Sequence, residues 1–144
     1  MGYDVRDCCL AFLGEARAKA ERVHLSAKAA VLSARGRFSE ALEALDVRER
    51  RVERMEKALA GYKGKSPEAR EKRAKLRDEK QARKKALEQL RDARYDLREA
   101  EGAERRAGAL VEQVGGVYTQ VERTWIPGCV VRSKPVFENL IPEV

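Results

Sequence analysis

Val31, Phe38, Leu45, Val52 and Leu59 stand at intervals of seven residues. Ala20, Ala27, Ala34 and Ala41, then Met55 and Tyr62, keep the same interval, three or four residues out of step with the first set. Two interleaved apolar series of period seven are the a and d positions of a heptad, and they gather on one narrow stripe of an α-helix. Neither a strand nor a string of short helices holds that phase over a segment this long.

The phase decides what Gly36 does. It lies in "LSARGRFSEALEAL", residues 32–45, where a glycine can end a helix. The part "GRFSEALEAL" resembles the turn and second helix of a tetratricopeptide repeat. No second copy follows, however, and Lys28 and Arg48 stand where that repeat has Leu and a small residue,. A break at Gly36 would lose the heptad phase, and the phase is kept. Gly36 falls outside the stripe, where it costs about 1 kcal/mol against Ala but no packing. One helix is therefore predicted from about Asp4 to Tyr62.

"GYKGKSPEA" ends it. Gly61 and Gly64 suit a helix C-terminus; Ser66 is an N-cap, Pro67 a first helical residue, and Glu68 an acid at the positive end of the dipole,. A second seam follows, with Leu76, Leu90, Leu97, Val111, Tyr118 and Trp125 at a and Ala86, Ala93, Ala100, Ala107, Val114 and Val121 at d. It passes through Gly115-Gly116 and stops at Pro127-Gly128,. All four prolines, Pro67, Pro127, Pro135 and Pro142, lie outside the helix interiors,. The prediction is an all-α chain: a long antiparallel two-helix coiled-coil hairpin over residues 1–126, with helices at about 4–62 and 67–125 and a turn at 63–66. An extended, proline-containing C-terminal tail occupies 127–144. The architecture is similar to prefoldin subunits and to the hairpin stalk proteins of type III secretion ATPases. That likeness carries no shared motif and implies no function.

A turn centred near Gly64 makes facing residue numbers add to about 129,. The alanine series of the two helices then meet. Polar seam residues also meet: Arg48 with Glu79, His24 with Glu104, and Asp46 with Arg83. Paired polar layers fix register at some cost in stability.

The two ends differ in chemistry. Residues 63–85 hold eleven Lys or Arg against four Asp or Glu, a net of +7 that equals the net charge of the whole chain. Lys63, Lys65, Arg70, Lys72, Arg73, Lys75, Arg77, Lys80, Lys84 and Lys85 are the candidates for contact with a polyanion or an acidic partner,. No aromatic lies between Lys65 and Arg94, so base-specific reading is not expected,. At the other end Leu10, Phe12, Leu13, Tyr118, Val121 and Trp125, with Cys8 and Cys9, converge beside a tail carrying Val136, Phe137, Leu140 and Ile141. Apolar g positions (Ala16, Val23, Ala30, Ala103 and Leu110), flanked by Leu25 and Leu32, widen the stripe there. Two helices alone do not bury that much apolar surface, which marks an assembly interface with protein partners or a second copy.

Catalytic chemistry is not expected. The one histidine, His24, lies 15 residues from Cys9, too far along a helix to share a metal with it,. Cys8, Cys9 and Cys129 read as small apolar residues in a reducing compartment or a virion,. There is no phosphate loop, dinucleotide fingerprint or nucleophile elbow, no secretory signal, and no apolar run of membrane-spanning length,. No cofactor, metal or small-molecule substrate is expected. The sequence therefore points to a non-enzymatic structural or assembly component of a large complex, such as a virion or a secretion-type machine. Its apolar base and tail would anchor it and its basic tip would project. The alternative is a sequence-independent nucleic-acid-binding protein that uses the tip.

Overall fold

The computed structural model describes residues 5–62 and 64–124. Within them the chain forms two helices, α1 (Val5–Ala60) and α2 (Pro67–Thr124), packed as an antiparallel hairpin. Gly36 lies inside α1, and a Cβ built on it meets nothing within 4 Å. The helix runs through because the seam on its far side is uninterrupted. α1 ends at Ala60, two residues earlier than expected. Trp125 and the tail fall outside the described residues.

The turn is built as its residues dictate. The Tyr62 amide donates to the Leu59 carbonyl at 2.9 Å, tightening the last turn of α1,. Gly64 has φ of 115°, the only positive value among the described residues, a conformation that residues with a Cβ rarely adopt and that reverses the chain here,. The Ser66 hydroxyl then accepts the Ala69 amide at 3.2 Å and caps α2, with Pro67 at the first helical position,.

The chain forms two compact units: Met1–Val31 with Ala100–Val144, and Leu32–Glu99, which holds the turn. The second is floored by Val52, Leu45, Ala34, Leu76, Ala86 and Ala93. The first is floored by Leu13, Ala16, Ala20, Val31, Ala107 and Val114. Every buried apolar residue except Ala16 occupies an a or d position, so the heptad is the core. Full burial of Leu13, Val52 or Val114 contributes about 1.5–3 kcal/mol each,. Near the start of α1 the seam steps sideways by one position. Ala16 is buried, while Arg17, seven residues before His24 and so formally at a, is exposed. The Arg17 guanidinium instead lies 5.9 Å from the Tyr118 ring centroid and 3.3 Å from Glu21.

No polar or charged residue is fully buried among those described. The closest approach is a partly open layer in the turn-bearing unit. One Arg48 nitrogen, Nη1, donates to both Glu79 oxygens, at 3.0 and 2.9 Å, and Arg51 reaches the same carboxylate at 3.5 Å. Arg48 and Glu79 thus meet as the sequence pairing places them.

Candidate interaction surfaces

The other two polar meetings resolve differently. The His24 ring lies against Gly108, about one helical turn beyond Glu104, and no hydrogen bond or ion pair joins His24 to Glu104 among the described residues. Gly108 is what admits the ring: a Cβ there would stand 3.3 Å from Nε2. Asp46 pairs with Arg50 on its own helix at 3.0 Å rather than with Arg83. An exposed carboxylate takes the near i,i+4 cation before a distant one, because less side-chain freedom is lost.

The basic candidates do not form one uniform patch. Lys72 is half-buried and sits 3.7 Å above the Tyr62 ring, so its charge is used locally. Lys75 pairs with Glu71 at 3.0 Å and Lys80 with Glu56 of α1 at 3.1 Å. Arg73 donates to the Gly64 carbonyl at 3.2 Å. Lys65, Arg70, Arg77, Lys84 and Lys85 are exposed and have no carboxylate partner among the described residues. Lys63 lies outside them.

At the other end Leu13 is buried, while Leu10, Phe12, Tyr118 and Val121 are half-buried. Trp125, Val136, Phe137, Leu140 and Ile141 lie outside the described residues. The g-position residues Val23, Ala103 and Leu110 are also half-buried, and Leu25 is 65% exposed. In the turn-bearing unit Leu32 is 68% exposed. An open groove of about 640 Å³ runs beside Arg17, Gly115, Gly116, Thr119, Gln120 and Arg123. The Thr119 hydroxyl donates to the Gly115 carbonyl at 3.0 Å, and a Cβ on either glycine would meet nothing within 4 Å.

Cys8 is exposed and Cys9 half-buried, both as free thiols. No group of three His, Cys, Asp or Glu is placed to hold a metal among the described residues. Among the described residues no helix is long and apolar enough to cross a membrane. Comparison with known proteins finds no matching family model, no matching curated protein and no matching solved structure.

Proposed function

We propose that this chain is a non-enzymatic structural component of a larger assembly, a virion or a secretion-type machine, held in a reducing compartment. The observation that carries this reading is the apolar surface left over after the hairpin seam has closed. Leu25, at 65% exposure, and the half-buried Val23 and Leu110 extend the core stripe outward in the unit where the helix ends converge. An apolar patch that adjoins an already complete seam is the kind of surface a partner covers. The proposed anchor is this surface together with residues 127–144. The test is the mass and stoichiometry of the native complex purified from its source, compared with a chain truncated after Pro127. The truncated chain should keep its helix content and fail to enter the complex. Equal incorporation of both chains would remove the reading.

A second reading, sequence-independent nucleic-acid binding, is favoured by a separate observation. Lys65, Arg70, Arg77, Lys84 and Lys85 present exposed, carboxylate-free cations within one short stretch. Such contacts are made to phosphates and lose affinity steeply as salt rises. Retention on immobilised DNA should fall when Arg77, Lys84 and Lys85 are changed to Gln, and unchanged retention would remove this end from any such role.

A further inference from the structure

The positive charge of α2 forms a line. From Arg70 to Arg98, taken at alternating steps of three and four residues, every position except Leu87 is Lys or Arg, and every one is exposed. That step averages the 3.5 residues of the heptad, so the line keeps a constant angle to the seam instead of winding around the helix. It spans about 42 Å at 1.5 Å per residue.

The sequence keeps most of this line unneutralised. Glu71, Asp78, Asp92 and Glu99 directly follow Arg70, Arg77, Arg91 and Arg98. Adjacent residues on a helix do not face each other, so these acids stay off the line. Its neighbours one turn away are mostly further cations or uncharged residues such as Ala74, Gln81 and Gly102; the two acids among them are Glu88, between Lys84 and Arg91, and Glu101, beyond Arg98. Lys80 alone reaches a carboxylate, that of Glu56. Arg70, Arg77, Lys84, Arg91, Arg94 and Arg98 form no ion pair among the described residues. Like charges one turn apart destabilise a helix. An ordinary solvated face would interleave the signs instead.

Tyr95 stands beside the line, one turn from both Arg91 and Arg98, and is 65% exposed. A ring that open contributes little to the fold. Beside a row of cations it is a platform on which a base can stack.

We propose that this edge of α2 is a track for single-stranded nucleic acid, with phosphates along Arg70 to Arg98 and a base stacked on Tyr95. The match is one of charge and shape: a narrow straight file of cations against a linear phosphodiester. A duplex has its bases already stacked and offers none to Tyr95, whereas a single strand does. The inference rests on the nucleic-acid reading above and extends it from the turn along α2.

The experiment is fluorescence anisotropy of the full chain with a labelled oligothymidylate of about 20 nucleotides, longer than the line at 3.4 Å per nucleotide. A line variant changes Arg91, Arg94 and Arg98 to Gln, and a turn variant changes Lys65, Lys75 and Lys85 to Gln. Circular dichroism confirms that helix content is kept. The line variant should weaken binding at least tenfold and lower the slope of log K against log salt by about 2, at roughly 0.7 per lost contact. The turn variant, which removes cations beside the line rather than on it, should weaken binding less than the line variant and lower that slope by a smaller amount. Tyr95→Ala should weaken binding about fivefold or more, with Tyr95→Phe restoring it. If the turn variant alone abolishes binding, the track is wrong while the nucleic-acid reading survives. If the wild-type chain binds no oligonucleotide, both fall. If a duplex of the same length binds as tightly, or polyglutamate competes as well as oligothymidylate, the line recognises charge alone and the single-strand assignment is overturned.

Discussion

α1 and the cationic edge of α2 carry their surface charges in opposite ways. On α1 ion-paired neighbours are opposite in sign: Arg17 with Glu21 at 3.3 Å, Asp46 with Arg50 at 3.0 Å, and Glu53 with Lys57 at 2.9 Å, each four residues apart. On α2 Glu71 and Lys75 repeat that pairing at 3.0 Å, but along the line steps of three and four join Arg70 to Arg77 through Arg73, and Arg91 to Arg98 through Arg94. The first arrangement adds a few tenths of a kcal/mol per pair to a helix, and the second subtracts a similar amount. Both helices use the same seam and similar residue types. Local stability therefore accounts for the paired charges of α1 and does not account for the cationic edge of α2.

The sharpest contrast is between these exposed charges and the one ionic layer that is largely withdrawn from water. The Glu79 side chain is 13% exposed and serves both Arg48 and Arg51. Glu79→Leu should destabilise the hairpin by about 2 kcal/mol, less than the 3–5 of a fully buried pair because Arg48 keeps partial access to water. Adding Arg48→Leu should return the stability in urea unfolding to within about 1 kcal/mol of the wild type, since the more buried cation is then gone and Arg51, the one left without its acceptor, is 51% exposed,. A double variant as unstable as the single one would show that packing, not charge, holds this layer.

Reversing the sign of one cation in the line should work in the other direction. Arg77→Glu faces Arg73 and Lys80 one turn away on either side. Two repulsions become two attractions, and thermal unfolding at low salt should register a gain of about 1 kcal/mol that fades as salt is added. No gain at low salt would mean that the line costs the helix nothing, and its functional argument would weaken.

Gly36→Ala separates backbone from charge. The site is exposed and open, so the substitution should stabilise by up to about 1 kcal/mol in urea unfolding, with no salt dependence,. Destabilisation would mean that α1 needs its flexibility there.

The smallest effect concerns Glu53. A hydrogen bond from Lys57, and then its charge, hold the Glu53 carboxyl below its ordinary range. A carboxyl depressed on folding adds stability above its unfolded pKa and loses it as pH falls through the folded one. Glu53→Gln should therefore lower the melting temperature slightly at neutral pH and match the wild type in acid below the carboxylate range. A difference that persists in acid would assign the effect to something other than this pair.

The parts of this molecule legible in its sequence are those fixed by periodicity. The heptad carried α1 through Gly36 and named nearly every buried residue, because a two-helix seam has no other way to close. Arg48 and Glu79 were legible because they interrupt that period with opposite signs. His24 was less so: its ring settles where Gly108 leaves room, and a pairing by residue number does not register the missing Cβ. Arg91, Arg94 and Arg98 are not legible from charge summed over a window of chain. A window mixes faces, whereas the step of three and four residues that reveals the seam also reveals the cations.

Gly64 and Ser66 have a consequence for how the chain finds its shape. The contacts nearest the turn, Lys72 on Tyr62 and Arg73 on Gly64, close loops of only ten or so residues, whereas Arg17 and Tyr118 are joined by most of the chain. Closing a loop costs more entropy as it lengthens, so the short closures come first and each one shortens the next. The hairpin should zip from its turn. Ser66→Ala, which removes the α2 cap, should then slow folding, while Leu13→Ala should mainly speed unfolding. The speed of the whole reaction would be set by two small residues at a bend that does not belong to either seam.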